Sequence, residues 1–193
     1  LYFLTLTNHI TSFIYKSMKE KTNIKLLDNI LPTTTNLTIL EELCYIPYKF
    51  AMDTEESRFY RAFKQNNGFQ NTTFDKGKPL KRLNINLYAQ LILDIVADRL
   101  KIRAVPWRFY WNMYLTPTGE GHLHIDYEGE DEDKFYTLIY NFHTTDGGTE
   151  IDGIEYPDKM GQAKVFQNNT FHKAIPCVND KIRFNLNIIF KSI

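Results

Sequence analysis

The pattern of apolar and polar positions divides the chain at about residue 103. Before that point it predicts helices near residues 9–20, 37–44 and 54–63, and a turn-rich connector over 66–80. The clearest helical period lies in residues 86–101, where one apolar stripe comprises Leu87, Tyr88, Leu91, Ile92, Ile95 and Val96. We expect this helix to pack against the core of the protein.

From residue 103 onward the pattern is typical of β-strands. Side chains in residues 103–115 alternate, with Trp107, Phe109, Trp111 and Met113 on one face and Arg108, Tyr110, Asn112 and Tyr114 on the other. Short strands separated by turns continue to residue 190 and favour a β-sandwich or barrel. We therefore expect one domain over 1–193, with a helical and loop buttress over 1–102 and a β core over 103–193.

Composition narrows the class of protein. Apolar residues make up 43% of the chain, enough for a sizeable core, and the 23 basic and 23 acidic residues cancel. Zero net charge makes a dedicated nucleic-acid binder an unfavoured reading. The two cysteines, Cys44 and Cys177, form no CxxC pair, so a reducing, cytoplasmic location is expected rather than a disulfide scaffold. No apolar run is long enough to span a membrane, and nothing indicates the oligomeric state.

Histidine and aspartate residues in the second half suggest a metal site. His124 and Asp126 are two positions apart near a predicted strand end, so both side chains can point the same way, and His172 is the obvious distant partner. Two histidines and one carboxylate on one face are the ligand set of non-haem Fe(II) oxygenases. A lone HxD pattern is common by chance, and His172 alone is typical of a structural histidine.

A cupin-type metal site is the alternative for the same segment. His122, His124 and Glu128 imitate the cupin spacing, but the glycines which that pattern requires are replaced by Thr116 and Phe135. We interpret His122 as a rim residue, and the pattern assigns no partner to His143.

The order of motifs over residues 107–190 resembles the 2-oxoglutarate- and Fe(II)-dependent dioxygenases, specifically their prolyl 4-hydroxylase-like branch. Tyr114 lies ten residues before His124 in HID, and "YTLIYNF", "DGGTEIDG" and "PDKMGQAKVFQNNTFHKAIP" follow in the family's order. Arg183 comes eleven residues after His172. The resemblance implies a double-stranded β-helix, or jelly-roll, buttressed by N-terminal helices.

The resemblance also implies roles for individual residues. His124, Asp126 and His172 would bind Fe(II), and Arg183 would bind the distal carboxylate of 2-oxoglutarate with help from the hydroxyl of Tyr114. Tyr140, Asn112 and Asn185 are further candidates for binding this co-substrate. The implied reaction uses O2 and couples hydroxylation of a C–H bond to decarboxylation of 2-oxoglutarate to succinate and CO2. The substrate would be a peptide or a small molecule.

Three other interpretations stay open. "WNMY" and "RFNLN" also resemble AlkB-type nucleic-acid demethylases, although Asn187 and Ile189 stand where those enzymes carry threonine and arginine. A non-catalytic jelly-roll and a cupin-type metal-binding module are the others. The acidic residues over 128–133 fit a solvated loop or a lid that attracts a basic peptide.

Overall fold

The computed structural model describes residues 23–46, 49–50, 68–80, 84–116, 121, 123–126 and 132–193. The helices expected over 9–20 and 54–63 lie outside these ranges, as do His122 and residues 128–131. Within the described part, neither helix is long and apolar enough to cross a membrane.

Strands dominate the described residues. The helices are α1 (Thr33–Leu43) and α2 (Ile85–Leu100), with a short 3-10 helix at Glu132–Lys134. The strands are β1 (Lys25–Leu27), β2 (Lys49–Phe50), β3 (Gly68–Asp75), β4 (Lys78–Pro79), β5 (Ala104–Leu115), β6 (Phe135–Asn141), β7 (Gly148–Ile151), β8 (Ile154–Pro157), β9 (Ala163–Gln167), β10 (His172–Ile175) and β11 (Ile182–Ser192).

Two antiparallel sheets form the β core. The large sheet has the order β1-β9-β6-β11-β5-β3-β2, with β4 paired to β3, and the small sheet has the order β10-β7-β8. Gly121 and His124 add to the edge of the small sheet, because Gly121 donates its N–H to Ala174 and His124 pairs with His172. A side chain at position 121 would lie 2.7 Å from the backbone nitrogen of Ala174, so only glycine permits this close approach. The fold is the expected jelly-roll with helices on its outer face.

The large sheet has one apolar face and one polar face. Phe109, Trp111, Phe184, Leu186 and Ile188 pack with α1 and α2 in the main core. The alternate residues of β5 and β11, which include Asn112, Arg183 and Asn185, lie on the face toward the small sheet. This arrangement confirms the expected alternation, with one exception at Trp107. The register of β5 against β11 shifts beside it, and Trp107 packs with Tyr110 and Ile189 instead of with Trp111.

The first hundred residues contain more strand than the pattern predicted. The connector expected over 66–80 is wrong, because β3 pairs along β5 over most of that range and β4 pairs with β3. Its glycines and asparagines are weak strand formers, but pairing with a long neighbouring strand overrides that preference. β1 also joins the large sheet at β9. The N-terminal part therefore contributes to the β core as well as covering it.

Both described helices differ in detail from expectation. α1 begins at Thr33, earlier than predicted, with Pro32 at its N-cap. The helix over 86–101 is confirmed, but its buried side comprises Ile85, Ala89, Ile92, Leu93, Val96 and Ala97. Leu87 and Leu91 are exposed. The small Ala89 faces the sheet because it permits close packing, which turns the larger leucines outward.

Candidate active site

Backbone pairing brings two distant histidines together. His124 and His172 exchange N–H···O=C hydrogen bonds of 3.0 and 2.9 Å, so the chain at 124 and the first residue of β10 lie side by side. The centroids of their imidazole rings are 4.4 Å apart. Asp126, two residues after His124, reaches the same point. One ligand atom from each of the three side chains lies within 4.8 Å of the others.

Asp126 is held by one of its two carboxylate oxygens. Its Oδ2 accepts hydrogen bonds from the hydroxyl of Thr137 at 2.7 Å and from the amide of Asn187 at 3.3 Å. Its Oδ1 is buried, has no hydrogen-bond partner among the described residues, and lies 3.8 Å from Nε2 of His124. A buried carboxylate oxygen without a donor is costly, so this oxygen is directed at a group still to be bound.

The protonation states of Asp126 and His172 suit a cation. Burial works against ionisation of Asp126, but the neighbouring His172 and His124 and the hydrogen bond from Thr137 lower its pKa below the usual range. Burial lowers the pKa of His172 and favours the neutral ring. The Nδ1 of His172 lies 3.1 Å from the carbonyl oxygen of Thr170, which accepts a hydrogen bond from the Nδ1–H group and so leaves the lone pair on Nε2. Two imidazoles and one carboxylate in this arrangement fit a divalent transition metal such as Fe(II).

A second polar cluster lies in the barrel interior around Arg183. Its Nε and Nη2 donate to the carboxylate of Asp158 at 2.5 and 3.1 Å. The same carboxylate lies 3.5 Å from the ammonium of Lys164 and accepts hydrogen bonds from Asn141 and Thr145. The side chains of Arg183, Asp158 and Lys164 are all buried. We call these three residues the charged cluster.

Arg183 retains unused donors. Its contacts within the described residues use Nε and Nη2, which form one edge of the guanidinium, and Nη2 also approaches the hydroxyl of Thr149 at 3.4 Å. Among the same residues Nη1 makes no hydrogen bond, so the outer edge of the guanidinium is open to a second carboxylate. The ring of Tyr114 lies 5.2 Å from the guanidinium carbon.

A row of polar side chains links the two clusters along β11. Tyr114 lies opposite Arg183, Asn112 opposite Asn185, and Tyr110 opposite Asn187. Asn112 donates to Asn185 at 2.9 Å, and Asn187 donates to Asp126. The side-chain oxygens of Asn112 and Asn187 are buried and have no hydrogen-bond partner within the described part of the chain. The interior face therefore leads from Arg183 to the candidate metal-ligand residues through groups that can accept hydrogen bonds from a ligand.

The fold of this chain is similar to that of several solved structures. A Trichoplax adhaerens prolyl hydroxylase, solved with a peptide of hypoxia inducible factor, matches with a TM-score of 0.65 and 10% identity, covering 98% of this chain and 92% of that one. A Pseudomonas putida prolyl-4-hydroxylase matches with a TM-score of 0.53 and 16% identity, covering 89% and 93%. A Burkholderia pseudomallei oxidoreductase of the 2OG-Fe(II) oxygenase family matches with a TM-score of 0.64 and 12% identity, covering 92% and 88%.

This chain has the fold of the 2-oxoglutarate- and Fe(II)-dependent oxygenases. No protein-family model and no curated protein matches its sequence, so the likeness is one of structure. The resemblance to prolyl hydroxylases is confirmed at that level.

Within the oxygenase fold, one predicted co-substrate residue lies on the wrong face. Tyr140 belongs to β6, where Thr137, Ile139 and Asn141 point into the barrel and Leu138 and Tyr140 point to the helices. Its hydroxyl donates to Asn36 of α1 at 2.6 Å. Burial raises the pKa of Tyr140 to about 12. Tyr140 is thus a core residue, and the structure does not bring it to the other candidates.

His143, left without a role by the sequence, has a structural one. Its Nε2 accepts the backbone N–H of Phe184 at 3.0 Å, and burial lowers its pKa. The neutral ring therefore ties the end of β6 to β11.

Sequence reasoning missed Thr137, Asp158 and Lys164. Lys164 offered a signal, because a lysine stands within the otherwise apolar strand sequence "AKVF". Thr137 and Asn141 showed the alternation that marks an interior face. Nothing in the sequence indicated that Asp158, just after β8, would meet Arg183, because their contact depends on how the strands are arranged.

Proposed function

We propose that this protein is an Fe(II)- and 2-oxoglutarate-dependent dioxygenase that hydroxylates a C–H bond of its substrate. One observation carries the proposal. A cluster of two histidines and one aspartate shares its barrel interior with a buried arginine; among the described residues, one buried oxygen of the aspartate lacks a donor and the outer edge of the arginine is open.

In this proposal His124, Asp126 and His172 hold the metal. Bound Fe(II) would supply the activation of O2 that hydroxylation requires. Thr137 and Asn187 orient Asp126 by occupying Oδ2, so that Oδ1 is the ligand atom. Thr170 fixes the ring of His172 with Nε2 toward the metal.

Arg183 and Tyr114 would bind the distal carboxylate of 2-oxoglutarate. The carboxylate would accept hydrogen bonds from the open guanidinium edge in a charge-assisted pair. Asn112 and Asn185, on the interior face between this pair and the metal, would line the co-substrate. Strand alternation removes Tyr140 from this set.

The substrate we propose is a peptide or a small molecule, and the reaction is of prolyl 4-hydroxylase type. Support comes from the neighbouring structures, two of which are prolyl hydroxylases, one of them solved with a peptide. Nothing in the described interior favours the demethylase reading over this one.

Anaerobic titration with Fe(II) and 2-oxoglutarate tests the proposal directly. A chelated keto acid on iron gives a weak visible charge-transfer absorption, which we expect in the wild-type protein. Asp126→Ala should abolish it, and Arg183→Met should shift its appearance to higher 2-oxoglutarate concentrations. A folded wild-type protein that binds Fe(II) but shows no such absorption would contradict the proposal.

The cupin alternative gives a different result in the same experiment. His122→Ala would abolish metal binding if His122 were a ligand, whereas our proposal expects Fe(II) affinity to be retained. His143→Ala is not a suitable control, since His143 ties β6 to β11.

A further inference from the structure

The charged cluster contains one more positive charge than negative charge. Asp158 is ionised, because Arg183 and Lys164 lower its pKa against the effect of burial. Arg183 is charged at any accessible pH. Burial lowers the pKa of Lys164 to about 8, so near neutral pH its ammonium is still protonated.

Neighbouring titratable side chains do not change this net charge of the cluster. Among the described residues, Tyr114, His143 and Cys177 act electrostatically on Arg183 and Asp158. Burial raises the pKa of Tyr114 and Cys177 and lowers that of His143, so all three are uncharged near pH 7. The carboxylates of Asp146 and Asp180 act from the loops outside, where solvent screens them.

An uncompensated charge in a buried cluster is costly, so this cluster is incomplete by one anion. Arg183 and Asp158 alone would form a neutral pair, and a neutral pair attracts a further carboxylate only weakly. The ammonium of Lys164 lies beside the same carboxylate of Asp158, at 3.5 Å, and donates to Asn141 at 2.6 Å. It thereby offsets the charge of Asp158.

We infer that Lys164 sets the affinity and selectivity of the pocket for a keto acid with a second carboxylate, because it cancels Asp158 and leaves the charge of Arg183 for the ligand. This inference rests on the proposed function and deepens it. Lys164 acts through the charge of the cluster and is a specificity-determining residue. Asp158 is a positioning residue, since it holds one edge of the guanidinium and leaves the other open.

The test compares two keto acids of equal chain length on the Mn(II)-loaded protein by isothermal titration calorimetry. 2-Oxoglutarate has the distal carboxylate, and 2-oxopentanoate has a methyl group in its place. Lys164→Met, close in size and uncharged, should weaken 2-oxoglutarate binding by at least about tenfold. It should leave 2-oxopentanoate binding unchanged. Lys159→Met is the matched control, because Lys159 is exposed and pairs with Asp28 at the surface, and it should change neither affinity.

A double variant separates the effect of the charge of Lys164 from the effect of its direct contacts. Asp158→Asn together with Lys164→Met restores one net positive charge to the charged cluster, carried by Arg183. The double variant should therefore regain most of the affinity for 2-oxoglutarate that Lys164→Met loses. Continued weak binding in a folded double variant would overturn the charge argument. If Lys164→Met weakens the binding of both keto acids equally, or of neither, the role of Lys164 in selectivity is overturned.

The dependence on pH gives a second readout. In the wild-type protein, affinity for 2-oxoglutarate should fall from about pH 7 to about pH 9 as Lys164 loses its proton. The fall should be absent in Lys164→Met. If the wild-type protein binds neither keto acid, the proposed function fails; if it binds 2-oxoglutarate but Lys164→Met behaves identically, only the role of Lys164 fails.

Discussion

The candidate metal-ligand residues His124, Asp126 and His172 and the charged cluster occupy the same interior but are incomplete in different ways. Around Asp126 a positive charge and a hydrogen-bond partner are missing, since the carboxylate is ionised, the ring of His172 is neutral and no described residue donates to Oδ1. Around Asp158 every carboxylate oxygen is hydrogen-bonded and a negative charge is missing. In the proposed function a metal would complete the first and an anion the second. A metal-chelating keto acid with a distal carboxylate is one molecule that would serve both, and the substitutions below test the two clusters and the residues around them.

The largest expected effect is on folding stability at the charged cluster. Asp158→Asn leaves Arg183 and Lys164 buried without an opposing charge, which should lower the free energy of unfolding by about 3–5 kcal/mol. Urea unfolding of the ligand-free protein measures it. Adding Lys164→Met should recover part of the lost free energy of unfolding, because it removes one of the two buried cations that lack an opposing charge. No recovery would show that the two side chains do not act as one charge system.

A smaller effect is expected at the metal-ligand residues. Asn187→Leu removes one of the two donors to Oδ2 of Asp126 and should weaken Mn(II) binding by about 10–100-fold. Competition with a fluorescent chelator measures the affinity. Asn179, an exposed asparagine that donates to Asp146, is the matched control. Asn179→Leu should leave Mn(II) affinity unchanged, and equal loss in both variants would argue against orientation of Asp126 by Asn187.

Tyr140→Phe separates the two faces of β6. It removes the hydrogen bond to Asn36 and should lower the free energy of unfolding by about 1–2 kcal/mol, measured in urea. Affinity for 2-oxoglutarate should not change. Tyr114→Phe, on the interior face, should lower that affinity instead. A loss of affinity for 2-oxoglutarate in Tyr140→Phe would support the role in co-substrate binding that the family resemblance implies for Tyr140.

The smallest effect is expected at Asp146, away from both clusters. Its carboxylate accepts backbone N–H groups of Val178, Asn179 and Asp180, and these hydrogen bonds hold its pKa at about 2. A carboxyl group whose pKa is lowered by folding stabilises the protein above its unfolded pKa. That contribution is lost as the pH falls through about 4 to about 2. The difference in urea midpoint between wild type and Asp146→Asn should therefore shrink over this range. A constant difference would mean that the charge of Asp146 does not contribute.

Local patterns predicted what depends on one strand or on a short spacing. Alternation along β11 placed Arg183 and Asn185 on the interior face, and HID placed two ligand candidates on one side of the chain. The fold class also followed, from the order of motifs. These features depend on backbone periodicity, which a single sequence displays.

Contacts between distant strands could not be read in this way. Asp158 meets both Arg183 and Lys164 only because β9 and β11 lie on either side of β6 while the chain after β8 folds back to them. β3 was missed because its partner β5, rather than its own residues, makes it a strand. The buried side of α2 was misplaced because apolar residues occur all round this helix, and packing against the sheet decided between them.

The reciprocal backbone hydrogen bonds between His124 and His172 have a further consequence. They fix the spacing of the two rings through the backbone, so this spacing does not depend on the two side chains alone. If a metal binds here as proposed, its binding should order the chain little, and its removal should leave the backbone pairing intact. Exchange of the ion would then proceed without refolding of the surrounding strands.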